Sequence, residues 1–205
     1  MLREALDKKG KEIFSLLKNF KDFYLAGGTA LALQVKHRIS VDFDLFTEKK
    51  ISKNHLNKVK TVFTGKQISV SVNNPDELTV FVDEKKVTFL NYPFLLLLKL
   101  RNFGGIKLLD IKEIGATKAY TIGRRGSYKD YIDLFFIIHG KYCGLQEIID
   151  ISVKKYGSDF NSRLFLEQLL FLEDIGDEPI IFLKNKIAKV AIIKFFESEI
   201  KKIKL

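Results

Sequence analysis

The alternation of apolar and polar residues changes character twice along this 205-residue chain. Residues 2–19 place Leu2, Leu6, Ile13, Leu16 and Leu17 at roughly helical spacing, with Lys and Glu between them, which predicts an amphipathic helix. Phe23-Tyr24-Leu25-Ala26 reads as a short extended segment leading into Gly27-Gly28. Thr29 to Val35 then reads as a helix with Thr29 as its N-cap. Val41 to Phe46 alternates strictly and predicts a strand, and Ile51 to Phe63 predicts a second amphipathic helix. Three strand-like runs follow at Gln67–Val72, Leu78–Val82 and Lys86–Leu90, the last two joined by a hairpin-like Asp83-Glu84-Lys85. Pro93 interrupts, Phe94–Leu100 is an apolar run too short to classify by period, and Gly104-Gly105 marks a turn.

From Asp110 onward the period becomes helical, with helices expected at about 110–122, 129–140, 144–156, 160–173 and 185–203. Strands confined to the first half and helices to the second imply an α+β organisation. The boundary is expected near residue 140, with a core over 1–140 and a helical C-terminal region over 141–205.

Composition narrows the partners more than the fold. With 46% hydrophobic residues, 18 Phe and only three Pro, the chain has the material of a packed globular protein. Its net charge of +10 favours a polyanionic partner such as RNA, DNA or an anionic membrane surface, although Lys that merely solvates helix faces gives the same number. The single Cys143 excludes an internal disulfide and suits a reducing compartment, the cytoplasm. The charged amino terminus does not read as a signal peptide, and the longest apolar run, Phe94 to Leu98, is too short for a membrane span, so no membrane partner is expected.

Candidate chemistry concentrates in LAGGTALALQVKHRISVDFDLF, residues 25–46. On a strand Asp42 and Asp44 share one face, their Cα atoms about 6–7 Å apart. Two carboxylates so spaced suit one or two hard cations, Mg²⁺ or Mn²⁺, with positions left for substrate phosphates. An isolated D-x-D is also simply a polar strand face, but bulky apolar neighbours make this strand look central, where unpaired carboxylates are costly. Gly27-Gly28-Thr29 at a helix start offers backbone N–H groups and a hydroxyl to an anion, or only a tight turn. Arg38 either bridges a phosphate or pairs with the aspartates. For His37 a loop or capping role is favoured over metal ligation. No Cys/His cluster suits zinc, and no Ser/His or Cys/His arrangement suggests a nucleophile.

The run GGTALALQ, HRIS and VDFDLF resembles the AbiEii/AbiGii toxin family of nucleotidyltransferase-like proteins, within the DNA-polymerase-β-type superfamily. The resemblance continues in DIKEIGATKAYTIGRRGSYKDYIDLF, residues 110–135, which is similar to the family's second signature. It implies a polymerase-β-like nucleotidyltransferase core, a mixed sheet packed by helices. It further implies that Asp42 and Asp44 bind metal, that Gly27, Gly28 and Thr29 contact nucleotide phosphates, that Lys118 neutralises triphosphate charge, and that Asp130 supplies a further carboxylate. Asp133 either assists or holds Lys118 or Arg125 in place, and Asp130 alternatively only complements the dipole of its helix.

The implied activity is transfer of a nucleoside monophosphate from an NTP to an acceptor hydroxyl, with tRNA or another RNA as acceptor and an antitoxin protein as partner. The tail agrees with a polyanion: Lys184 to Lys204 holds seven Lys against two Glu, interleaved with Phe182, Phe195 and Phe196, which pack into a core more readily than they stack on bases. One departure stands out. Many superfamily members carry a third carboxylate on a later strand, near where this chain has Val87-Thr88-Phe89-Leu90, and Thr88 cannot ligate metal as a carboxylate does. That departure keeps open a catalytically weak or inactive nucleotide- or RNA-binding protein of the same fold, and a toxin component that acts through a partner protein.

Overall fold

The computed structural model describes residues 4–176 and 178–203. Leu2 of the expected first helix and Lys204 of the basic tail lie outside them. Among the described residues, eight α-helices and seven strands form an α+β protein whose chain divides into two compact units. Of the described residues, the first comprises those within 4–95 and 99–109, and the second those within 96–98, 110–176 and 178–203. The sequence sets its boundary near residue 140, whereas the units divide between Leu109 and Asp110.

Unit 1 carries the whole sheet. Its strands are β1 (Tyr24–Ala26), β2 (Phe43–Thr47), β3 (Ile68–Asn73), β4 (Glu77–Val82), β5 (Lys85–Asn91), β6 (Arg101–Phe103) and β7 (Ile106–Leu108), in the order β3-β4-β5-β2-β1-β7-β6. The sheet is mixed: β2 runs parallel to β5, β1 parallel to β7, and the other pairs are antiparallel. β2 is the middle strand, and its apolar face explains why: Phe43 and Leu45 are fully buried, as is Phe89 opposite Leu45.

Three helices belong to this unit: α1 (Lys8–Leu16), α2 (Gly27–Val35) and α3 (His55–Val62). Asp7 caps α1 by accepting from the Gly10 amide at 2.7 Å. α2 packs on β1 and β2 and ends where Lys36 turns left-handed at φ 56°. Phe20, Phe23 and His55 converge on Phe89, with ring centroids 4.5 Å apart for His55 and Phe89, and Phe63 packs on Phe20.

Two expectations need correction here. Thr29 is not the N-cap of α2; the helix begins two residues earlier, Ala26 stands at the cap, and no side chain bonds the first turn. The hairpin β6–β7 was not expected as strands, because runs of three residues show no period; its one sequence signal was Gly104-Gly105, whose φ values of 60° and 83° form the turn between them.

Unit 2 is helical: α4 (Ile111–Ile122), α5 (Tyr128–His139), α6 (Leu145–Tyr156), α7 (Ser162–Leu170) and α8 (Lys189–Ile200), with 3₁₀ turns at Gly157–Asp159 and Phe171–Asp174. α4 is central, packing on α5, α6 and α7. Gly115 permits the close approach of α6, since a Cβ there would lie 3.2 Å from Ile148. Asp110 caps α4, accepting from the Lys112 amide at 2.9 Å. Fully buried Glu113 accepts from Lys155 Nζ at 2.7 Å and from the Leu97 and Leu98 amides at 3.2 and 2.9 Å, which joins residues 96–98 to this unit. No helix among the described residues is long and apolar enough to cross a membrane.

Candidate active site

Asp44 stands in the middle of the sheet. It pairs with Ala26 of β1 on one side and Thr88 of β5 on the other, and it is half-buried. Asp42 lies just before β2 and is exposed. The two carboxylates therefore sit at a strand entrance, one anchored and one reaching outward.

The chain around them is fitted to that arrangement. Gly27 adopts φ 63°, a conformation that strains any residue with a Cβ, and it is pressed against Asp44. A Cβ built on Gly27 would overlap Asp44 Oδ2 and lie 3.1 Å from Cγ. The Thr29 hydroxyl is bonded to Ser40 Oγ at 2.8 Å and to the Asp42 carbonyl oxygen, so it ties the start of α2 to the backbone of the outer aspartate. Because α2 has no side-chain cap, its first amides face the same end of the unit without an acceptor from a side chain. Arg38 is buried, and its guanidinium donates to the Ile39 carbonyl at 3.2 Å.

Lys118, Asp130 and Asp133 belong to unit 2, where they form one cluster. Lys118 Nζ lies 2.6 Å from Asp130 Oδ1 and 2.8 Å from Asp133 Oδ2, all three side chains being almost entirely buried. Burial pulls the Lys118 ammonium toward a lower pKa, but the charges of Asp133 and Asp130 outweigh it and hold it above its ordinary value. Asp130 Oδ2 is buried with no hydrogen-bond partner. The start of α5 is fixed by a residue the sequence did not single out. Glu178 Oε1 accepts from Ser127 Oγ at 2.7 Å and the Tyr128 amide at 3.0 Å, and Oε2 pairs with Lys129 at 3.0 Å. Fifty residues separate these partners, and no spacing announces them. Cys143 offers no nucleophile, since burial pushes its thiol up to about 12.

Residues 11–101 match the model of a family described as the nucleotidyl transferase AbiEii toxin of type IV toxin–antitoxin systems. Over 179 residues the chain is 34% identical to the uncharacterized protein aq_aa25 of Aquifex aeolicus strain VF5, covering 86% of this chain and 84% of that one. The chain belongs to the AbiEii family. This membership supports a nucleotidyltransferase toxin, and the matched segment contains the whole Gly27–Asp44 region. Among solved structures, the AbiEii-family chain resembles MenT4, a nucleotidyltransferase toxin of Mycobacterium tuberculosis H37Rv, with TM-score 0.59, 18% identity, and 95% and 83% of the two chains covered. It also resembles JHP933 of Helicobacter pylori, with TM-score 0.53, 17% identity and 97% of each chain covered. Both likenesses concern the fold.

The donor set of this AbiEii-family chain suits a hard divalent cation. Asp42 and Asp44 offer carboxylate oxygens only, beside a glycine whose missing Cβ leaves the inner carboxylate its place. No group of three or more His, Cys, Asp or Glu side chains able to hold a metal occurs among the described residues. A pair of carboxylates that leaves most positions to water and phosphate is the kind of site Mg²⁺ accepts.

Proposed function

We propose that this protein transfers a nucleoside monophosphate from an NTP to an acceptor hydroxyl, with RNA, tRNA in particular, as the acceptor. The observation that carries the reading is Asp44, held in mid-sheet against a left-handed Gly27, with Asp42 tethered beside it through Thr29. In this reading the amides of Gly27, Gly28 and Thr29 and the guanidinium of Arg38 bind and orient the triphosphate. Asp42 and Asp44 would hold Mg²⁺ or Mn²⁺, which supplies stabilisation of the charge that develops on the phosphates. Lys118 and Asp130 are carried into the same chemistry by their motif, Lys118 for triphosphate charge and Asp130 as a further carboxylate. The acceptor oxygen attacks the α-phosphorus in line, and pyrophosphate leaves without a covalent enzyme intermediate.

The test is incubation of the purified protein with each labelled NTP, Mg²⁺ or Mn²⁺ and total RNA. Label transfer to RNA, lost in Asp42→Ala and Asp44→Ala, is the expected result; transfer that survives both substitutions overturns the site. A second reading, a nucleotide- or RNA-binding protein without catalysis, is favoured by Thr88, which stands directly beside Asp44 where a third carboxylate would complete the set. Tight NTP binding with no transfer to any RNA would select it. An antitoxin partner follows from the family's type IV systems, and co-expression with the product of the neighbouring gene tests whether that product suppresses toxicity.

A further inference from the structure

The place of the missing strand carboxylate is not apolar. Asp44, Thr88 and Thr79 lie in one row across β2, β5 and β4, by the register Asp44↔Thr88 and Thr79↔Thr88. Their sequence neighbours on the opposite face, Leu45, Phe89, Leu78 and Val80, are all fully buried and apolar. Thr88 and Thr79 are themselves buried, at 8% and 2% exposure. Two buried hydroxyls cost free energy unless each is bonded, and these are bonded in sequence. Thr79 Oγ1 lies 3.2 Å from Thr88 Oγ1 and 2.6 Å from Glu77 Oε1. A hydroxyl has one proton and an ionised carboxylate only accepts, so Thr79 donates to Glu77. Thr79 oxygen then accepts from Thr88, and Thr88 oxygen keeps its lone pairs for a donor on the Asp44 side. The row is a directed chain that ends on a half-buried carboxylate. Glu77 is held by its own backbone, whose amide donates to Asn74 Oδ1 at 2.8 Å.

We propose that Thr88, Thr79 and Glu77 form a proton relay that deprotonates the acceptor hydroxyl during transfer, replacing the absent third strand carboxylate. The inference rests on the nucleotidyl-transfer reading above. As the acceptor O–H bond breaks, its proton passes to Thr88 Oγ, the Thr88 proton passes to Thr79 Oγ, and the Thr79 proton passes to Glu77. The acceptor oxygen forms its bond to the α-phosphorus with the electron pair so released. The bond from the α-phosphorus to the bridging oxygen breaks, and that pair leaves on pyrophosphate. Glu77, half-buried, returns the proton to solvent. Thr88 touches the acceptor and is the catalytic residue; Thr79 and Glu77 act through it as positioning residues. The row sits in register with Asp44, so no large movement within the sheet is needed for it to serve the same reaction.

The test compares wild type, Glu77→Gln, Thr79→Val and Asp44→Asn in single-turnover transfer from labelled NTP to RNA, with thermal unfolding measured on each. Glu77→Gln keeps the acceptor for Thr79 but does not take up the proton at neutral pH. It is expected to unfold within a few degrees of wild type and to lose about 100-fold or more in transfer rate at unchanged KM for NTP, in the range of a positioned proton acceptor. In mixtures of H₂O and D₂O the wild-type rate is expected to fall along a bowed curve, as several protons move together, and the Thr79→Val rate along a straight line. Wild-type transfer that is lost in Asp44→Asn but unchanged in Glu77→Gln overturns the relay and leaves the nucleotidyl-transfer reading standing. A wild type that transfers to no RNA with any NTP overturns that reading and the relay with it.

Discussion

Gly27→Ala is the most searching perturbation of this site, because it alters a conformation and a contact at once. The new Cβ would sit on a backbone at φ 63° and overlap the Asp44 carboxylate, with Cγ and Cβ of Asp44 at 3.1 and 3.3 Å. The left-handed conformation costs an alanine about 1–2 kcal/mol. Relieving the overlap by turning the Asp44 side chain or shifting β1 from β2 adds on the order of 1 kcal/mol. For a protein of this size a loss of ~2–3 kcal/mol lowers Tm by about 5–10 °C. The functional cost is larger, since a displacement of about 1 Å at a reacting group can cost on the order of 100-fold in rate. The assay is thermal unfolding together with label transfer from NTP, in a double-mutant cycle with Asp44→Ala. In the Asp44→Ala background the overlap with the carboxylate is gone and only the 3.3 Å approach to Cβ remains, so Gly27→Ala should cost little beyond the conformational part. An equal cost in both backgrounds would refute the contact, and a wild-type transfer rate in Gly27→Ala would refute the claim that this glycine exists to seat the carboxylate.

Three further outcomes follow from the geometry. Lys118→Met leaves Asp130 and Asp133 buried without their cation and should destabilise by about 3–5 kcal/mol in denaturant unfolding; a change under about 1 kcal/mol would show that the cluster does not hold unit 2 together. Glu178→Ala removes the acceptor for Ser127 Oγ and the Tyr128 amide and should cost about 1 kcal/mol. Burial pushes the Glu178 carboxyl up, but its bonds to Ser127 and Lys129 prevail and hold it below the ordinary value, so its contribution is present above the unfolded glutamate pKa and should vanish as pH falls through the lowered folded one. Burial among Phe20, Phe23 and Phe89, with Lys58 nearby, lowers His55 from 6.5 to about 4, so the unfolded chain binds the extra proton between those values. Stability should therefore drop as pH falls from 7.5 to 5, by ~2 kcal/mol on the relation of 1.36 kcal/mol per pKa unit; a His55→Phe variant that keeps the same slope would refute this assignment.

The D-x-D pair, the glycine turn and the K-D-x-x-D helix were legible because each is local: alternation, a φ > 0 residue type and a helical period are properties of a few adjacent positions. α4, α5 and α6 appear within a residue or two of where their periods place them. What was illegible is set by partners remote in sequence. Thr29 looks like a cap, yet its hydroxyl is bonded to Ser40 and Asp42, eleven and thirteen residues on. Glu178 reaches back fifty residues to the start of α5. Thr88 reads as an absence beside Asp44, and only the β4–β5 register shows that the next strand brings Thr79 to the same row, with Glu77 bonded to it two residues away along β4. The signal was present in the alternation of Glu77 and Thr79 along one strand, but the pairing of strands is not written in either strand alone.

The Lys118 cluster constrains the role that its motif suggests. One ammonium bonded to two carboxylates presents a net charge of −1, which repels a triphosphate rather than neutralising it. For Lys118 to meet phosphate charge, one carboxylate must release its hold. Asp133 is wholly buried, and ordering it elsewhere would cost its desolvation again. Asp130 differs: one oxygen holds Lys118, and the other, Oδ2, is buried with no hydrogen-bond partner. A carboxylate with an unused buried oxygen gains most from a new donor or cation, and its gain weakens the hold on the lysine. In the proposed nucleotidyl transfer, Asp133 would be the permanent counter-ion of Lys118 and Asp130 the partner that can be exchanged. The two acidic residues of the K-D-x-x-D motif are therefore not equivalent, and in the proposed reaction the first of them, with its unpartnered oxygen, would be the one available to chemistry.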